Sequence, residues 1–358
     1  MKLNLQKRFL SICILISSFT LFFNFQCFSQ SLKFEYKGVA VERKGMHVWG
    51  SSPVMGPDGK VHLYVAEWPM NTQPNFSGWF KDCEIAHYVG DSPEGPFTFV
   101  RVAVKDKNGT FNSPHNPTIK YIDGKYVLCF IVNENNILAK QRIMMLVADD
   151  LNDNWRPAKG AEADGTILRK SDDPSVWNYT AKLGVSNPTL IKYKNKYLLY
   201  NKSVVKKNEK KHAYVYGVAI SDNLEGPYIH QKKSVTPLNL QLEDAYAFSM
   251  NDSVFLLSRD FVGLKGSNGG GLLWKSNNGL YFDAKDVKRS FEDLAYYIGK
   301  DTLQNANVYR GKKGGHLERP QILFIDGKPA YLYLATGLNL KKGYGSGSHV
   351  FKISYTNN

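Results

Sequence analysis

Glu243 with Asp244, and His316 with Glu318 and Arg319, are ionisable residues that open strand-like apolar runs in this sequence. Two carboxyl groups brought together, or a carboxyl and an imidazole, can divide acid and base work. One gives a proton to a leaving group while the other activates water or attacks carbon. Glu243 and Asp244 are neighbours in a strand, where successive side chains point to opposite faces, so one of the two, Glu243, is expected to face the reacting group. Residues 243 and 318 can meet only if the elements that carry them converge.

Those elements repeat. Five short polar clusters each precede an apolar strand: Trp49-Gly50-Ser51-Ser52-Pro53-Val54, His115-Asn116-Pro117-Thr118-Ile119, Ser186-Asn187-Pro188-Thr189-Leu190, Glu243-Asp244-Ala245-Tyr246-Ala247 and His316-Leu317-Glu318-Arg319-Pro320-Gln321. They align on Pro53, Pro117, Pro188, Ala245 and Pro320, at unequal spacing. A turn then leads into a second strand rich in Tyr, Leu and Val; Ile122-Asp123-Gly124-Lys125 and Ile325-Asp326-Gly327-Lys328 are the clearest of these hairpin turns. Further out, Gly90-Asp91-Ser92-Pro93-Glu94-Gly95-Pro96-Phe97 is similar to Ser221-Asp222-Asn223-Leu224-Glu225-Gly226-Pro227-Tyr228, with a weaker version from Asp149 to Trp155. These segments are expected to join the third strand of a unit to its edge strand, which makes Glu94 and Glu225 turn residues and not acids. A degenerate unit of several strands, met five times, predicts an all-β, five-bladed β-propeller over residues 30–358, a single domain. Its inner strands would aim five separate clusters at one opening. Helix is expected only as a short piece around Phe291 to Tyr297.

Before that domain, Lys2, Lys7 and Arg8 precede an apolar run from Phe9 to Phe23 and the small residues of Cys27-Phe28-Ser29. This is the pattern of a secretory signal peptide over residues 1–29, and the run is short for a stable membrane span. Lipoprotein anchoring through Cys27 is the less favoured alternative, because Gln26 is a poor residue before a lipidated cysteine. The mature protein is thus expected to be exported, periplasmic or secreted. Of 4 cysteines, Cys83 and Cys129 remain in the propeller, either bonded to each other or, for Cys129 in its apolar run, as a small buried hydrophobe. The chain carries a formal charge of +14, reduced when Lys2, Lys7 and Arg8 leave with the leader. That excess favours an anionic polysaccharide over nucleic acid in an exported protein, although clusters such as Lys206-Lys207 and Lys341-Lys342 can also simply solvate loops. No HExxH or Cys/His ligand spacing is present, so neither a metal nor another cofactor is expected. Gly269-Gly270-Gly271 lacks the Lys-Ser/Thr of a phosphate loop.

The five polar starts and the outer Glu-Gly-Pro-aromatic turn resemble the five-bladed propeller glycoside hydrolases of families 43 and 117, over about residues 40 to 355. The family-43 pattern implies a general-base Asp in blade one, a tuning Asp in blade three and a general-acid Glu in blade four. This sequence offers Ser52, Asn187 and Glu243 at those places, so two of the three carboxylates are missing. The family-117 pattern implies a histidine acid in blade five, where His316 stands. The resemblance therefore implies a divergent glycosidase, with Glu243 as general acid and Glu318 or a loop carboxylate as its partner. His316 and His115 are assigned support or proton transfer. Glu67 and Glu134, at the ends of second strands, are the loop carboxylates within reach. Glu318 can alternatively be read as a structural ion pair with Arg319, and His316 as a satisfied hydrogen-bonding residue. For recognition, His115, Asn116, Asn187 and Asp244 suit sugar hydroxyls. Trp49 and Trp68 suit a ring face or plain core packing, and Arg142, Arg259 and Arg319 suit a carboxylate or sulfate. The expected activity is exo-acting release of a terminal sugar from an acidic plant or algal polysaccharide or oligosaccharide. A non-catalytic glycan-binding propeller and a polysaccharide lyase are the alternatives.

Overall fold

Each polar start opens the innermost strand of an antiparallel sheet, and five such sheets succeed one another along the chain. The inner strands are Met46–Met55, Asn112–Ile122, Ser186–Tyr193, Leu242–Met250 and Glu318–Ile325, in blades 1 to 5. Each packs against the inner strands of the blades before and after it, and the fifth packs against the first, so they close a ring. The computed structural model describes residues 31–356 except 72–73, 107–111, 136, 153, 209–210, 267 and 311–314, and Leu32–Ser354 is one compact unit. The expected signal peptide, with Cys27, lies outside the described residues.

Local sequence accounts for the hairpins. At Asp123-Gly124, Lys194-Asn195, Asn251-Asp252 and Asp326-Gly327 both turn residues have positive φ, which matches the right-handed twist of the flanking strands. The outer turns lie where expected: Gly90 to Phe97 joins the third strand of blade 1, Glu84–Gly90, to its edge strand, Thr98–Val104. Glu225 in the equivalent turn of blade 3 accepts hydrogen bonds from Arg156 and from the Lys159 amide, and this engagement pulls its carboxyl down to about 2. In blade 5 the edge strand is Ser31–Val41, paired to Gly347–Thr356, so the start of the domain completes its last sheet. The helical piece is two short turns, Leu294–Ile298 and Lys300–Gln304.

Apolar cores lie between neighbouring blades. Ile191, Tyr200 and Val218 of blade 3 meet Leu242, Leu256 and Trp274 of blade 4, and Leu128, Phe130 and Met144 of blade 2 meet Tyr64 and Ile85 of blade 1. Full burial of one such side chain contributes about 1.5–3 kcal/mol. Cys83 and Cys129 are both buried and free, so the second of the two readings holds for Cys129 and no disulfide joins them.

All five inner strands carry the same defect. Register with the second strand shifts between Trp49 and Ser52, His115 and Thr118, Ser186 and Thr189, Glu243 and Tyr246, and Glu318 and Gln321. The residue after the first of each pair has left-handed φ: Gly50 at 62°, Asn116 at 53°, Asn187 at 49°, Asp244 at 57° and Arg319 at 56°. This is a β-bulge repeated with the blades. It corrects the alignment on prolines, since Gly50 is the counterpart of Asn116 and Asn187, and Ser52 falls two positions further on. Ser52 is instead a clip between blades. Its Oγ donates to Gln321 Oε1 (3.0 Å) and accepts from the Ile119 amide (2.9 Å), while Thr189 Oγ1 accepts from the Ala247 amide at the equivalent place (2.9 Å). Replacing Ser52 with Ala strands a buried amide and a buried amide oxygen, so chemical denaturation should show a loss of about 1–3 kcal/mol.

Candidate active site

The five bulge residues form a floor across the ring. Asn116 Nδ2 donates to Asn187 Oδ1 (3.0 Å), and Asn187 Nδ2 donates to Asp244 Oδ1 (2.7 Å). Arg319 Nη1 lies 3.8 Å from the same Asp244 oxygen, and its Nη2 reaches the Pro117 carbonyl at 3.4 Å. Arg319 crosses blade 1 at Gly50, where a Cβ would come 3.3 Å from its Nε. A glycine there supplies both the left-handed backbone and the space. Where the family-43 pattern asks for a blade-one carboxylate, the chain has no side chain at all, and a guanidinium lies against the gap.

The residue just before each bulge turns its side chain upward: Trp49, His115, Ser186, Glu243 and Glu318 all line one cavity of about 250 Å³ above the floor. Asp244 lines it too. The expectation that only one of Glu243 and Asp244 would face the opening fails because the bulge interrupts strict alternation. Glu243 Oε1 accepts from Lys202 Nζ (2.8 Å), and its Oε2 accepts from Arg259 (3.2 Å). The same Arg259 nitrogen contacts Glu318 Oε2 at 2.7 Å, and Arg310 holds that oxygen as well. Glu243 Oε2 and Glu318 Oε2 are therefore within about 6 Å of each other. Glu318 Oε1 is buried and takes no hydrogen bond among the described residues. Glu318 pairs with Arg259 and Arg310, and not with its sequence neighbour Arg319.

The two carboxyls are pushed apart in proton affinity. Burial opposes charge on Glu243, but Lys202, Arg259 and Arg310 outweigh it and pull the group from 4.5 to about 2. On Glu318 burial dominates over Arg259 and Arg310, and nearby Asp244 and Glu243 add to it, so its affinity for a proton rises. Burial holds His115 down to about 4 and so keeps it a neutral hydrogen-bonding group, and its Nδ1 donates to the Ser113 carbonyl (2.7 Å).

Aromatic rings wall one side. Phe76 contacts Trp49 and Trp68 edge to face, with centroids 5.2 and 4.9 Å apart, and Trp79 meets His115 at 5.1 Å. Gly78 lets the segment Pro74–Phe80 lie on Trp68, since a Cβ there would come 2.6 Å from the indole. Arg310 stacks over Trp49 at 5.2 Å.

Of the residues singled out in the sequence, Trp49, Trp68, His115, Asn116, Asn187, Glu243, Asp244 and Glu318 line the cavity. Arg259 and Arg319 lie beneath its surface, as the carboxylate bridge and the floor strut. His316 does not line it; it packs against Gly269 in the glycine run, where a Cβ would come 2.7 Å from the imidazole. Glu67 is buried with Arg43 and Tyr88, Glu134 pairs with Lys140 at 2.9 Å, and Arg142 bonds Thr166, all away from the cavity. Sequence reasoning alone misses Lys202, Arg310, Tyr214, Phe76 and Trp79. Lys202 has a signal: it sits across from Ser186 on the second strand, as Arg259 sits across from Glu243. Arg310, Phe76 and Trp79 come from connections outside the repeat.

Fold and site together define a five-bladed propeller of the kind found in glycoside hydrolases. Solved structures with this fold include Zg3597, a family 117 glycoside hydrolase of the marine bacterium Zobellia galactanivorans, at 17% identity over 90% of each chain with a TM-score of 0.63. BT0996, solved as an RGII complex, is 12% identical over 90% of this chain and 92% of its own, with a TM-score of 0.62. CoXyl43, a GH43 β-xylosidase/α-arabinofuranosidase from a compost microbial metagenome in complex with xylotriose, is 15% identical over 88% and 96%, with a TM-score of 0.52. At these identities the likeness is one of fold. No family model matches the sequence, and no curated protein matches it.

The depressed Glu243 carboxyl links stability to acid. Its ionised form stabilises the fold above the ordinary value of 4.5, and that contribution is lost as pH falls toward 2. Denaturation of wild type and Glu243→Gln should therefore show a stability gap that narrows between these pH values. A constant gap would mean that Glu243 is not held ionised.

Proposed function

We propose that the protein is an exported, exo-acting glycoside hydrolase that releases a terminal sugar from an acidic plant or algal polysaccharide or oligosaccharide. The observation that carries this reading is the Glu243–Arg259–Glu318 bridge, two carboxyls of opposite proton affinity set in one aromatic-walled cavity. A floor of interlocked side chains suits a chain end, and a tryptophan wall suits a sugar face. Lys202 and the partly exposed Arg310 supply charge-assisted donors for an acidic sugar. The basic excess of the chain supports the same choice. Among the fold neighbours are a marine bacterial enzyme and a protein seen in an RGII complex, which is in keeping with a complex glycan.

The roles differ from those expected from the sequence. Glu318, the carboxyl with the raised proton affinity, is the acid: its carboxyl proton passes to the glycosidic oxygen as the bond to the anomeric carbon breaks. Glu243, held as the anion, attacks that carbon. Water, deprotonated by the Glu318 carboxylate, then displaces Glu243 and restores both groups. Their Oε2 atoms, within about 6 Å of each other, lie closer than the roughly 6.5–9.5 Å that leaves room for an inverting water, which supports retention. Residues 1–29 act as the export leader, and N-terminal sequencing of exported protein should begin after Ser29.

A second reading, a glycan-binding propeller without catalysis, is favoured by Gly50 and Asn187 at positions where the family-43 pattern has carboxylates. Product analysis on a panel of acidic plant and algal oligosaccharides separates the two. The expected outcome is sugar release that Glu318→Gln lowers at least about a hundredfold in kcat, in line with the ordinary contribution of an acid–base group, with binding preserved. NMR of the first product should show the original anomeric configuration. Inversion would assign the base role to another group, and no release with intact binding would leave the binding module.

A further inference from the structure

A second cavity, of about 270 Å³, lies toward the other end of the inner strands and shares no lining residue with the first. Its walls are apolar: Val54 and Met55 of blade 1, Ile119 of blade 2, and Leu323 and Phe324 of blade 5, with the ring of Tyr246 from blade 4. Among the described residues one charged side chain lines it, that of Lys120, and no carboxylate does. The ammonium sits 3.5 Å from the centroid of the Tyr246 ring and 6.0 Å from that of Phe324, and it donates to the Ala247 carbonyl at 3.2 Å.

A lysine serving only to fill this space would be an odd choice. Burial drives its proton affinity well below the ordinary lysine value, and a methionine or leucine would fill the same volume without that cost. One carbonyl and one ring face use part of the capacity of an ammonium with three donors, and neither supplies a counter-charge. The space beside it is ample, since an apolar cavity of about 150 Å³ already admits benzene.

We propose that this lower cavity is a binding site for a small organic anion, a carboxylate or sulfonate on a flat apolar body, with Lys120 as its charge partner. The anionic group supplies the missing counter-charge, which offsets the burial that disfavours a proton on Lys120 and lets it bind as the ammonium. The apolar body lies along Val54, Leu323 and Phe324. The two cavities share no lining residue, and the Ser52–Gln321 and Ile119–Ser52 hydrogen bonds tie the blades together between Trp49 of the upper one and Val54 of the lower one. The site stands independently of the glycosidase reading.

Calorimetric titration of the mature protein with benzoate, and with benzyl alcohol as its uncharged counterpart, tests the assignment. Benzoate should bind one site at least about tenfold more tightly than benzyl alcohol. Lys120→Met should abolish that preference, and Val54→Phe, which narrows the cavity and leaves the charge in place, should weaken both probes. Arg310→Met should leave benzoate binding unchanged. The proposal fails if wild type shows no saturable benzoate binding, or if benzyl alcohol binds equally well. It also fails if affinity survives both lower-cavity variants, or if it falls in Arg310→Met instead, which would place the anion among the cations of the upper cavity.

Discussion

The bulge repeated in every inner strand is the constraint on which the site depends. A regular strand would send consecutive residues to opposite faces. One extra left-handed residue lets Glu243 and Asp244 both reach the opening, and lets Glu318 line it while Arg319 runs beneath as part of the floor. Left-handed backbone costs about 1–2 kcal/mol for most residues. Three of the five positions are Asn or Asp and one is Gly, the types that bear it best. Arg319 is the exception, and its guanidinium is anchored on Asp244 and the Pro117 carbonyl across the space left by Gly50. The same residues that tolerate the backbone thus make the floor.

Above the floor, charge organises the site. Glu243, Glu318, Lys202, Arg259 and Arg310 form one connected group, and no member is buried alone. Removing a single partner from such a set is far more damaging than the net worth of any one pair, because it strands the remaining charge. Arg259 touches both carboxyls through one nitrogen, so it keeps them close and favours the charged form of each. The unequal surroundings of the two carboxyls then supply the asymmetry that an acid and its partner require.

Much of this is legible in the chain. Polar starts, apolar strands and Asp-Gly turns identify five blades, and residues at those starts line the cavity from all five. The outer Glu-Gly-Pro turns read as structural, and Glu225 with Arg156 bears that out. The blade-one register is hidden because Pro53 mimics Pro117, whereas backbone equivalence tracks the bulge at Gly50, which leaves no mark beyond a single glycine. His316 is close to Glu318 in sequence, but two residues of separation across the entry to a strand place it on Gly269 instead of in the cavity. Arg310, Phe76 and Trp79 lie in connections with no repeat to announce them.

Strand alternation, turn chemistry, the number of blades and the polar character of their inner ends obey short-range rules, and the residues alone determined them. Everything that depends on the closed ring was decided by tertiary structure. Arg259 reaches Glu318 only because blades 4 and 5 are neighbours, and Arg319 spans to Pro117 only because the ring brings blades 5 and 2 together across Gly50. Proton affinity belongs to that second class. It is set by burial and by charges distant in sequence, and the same glutamate side chain has its proton affinity lowered at 243 and raised at 318 through its surroundings.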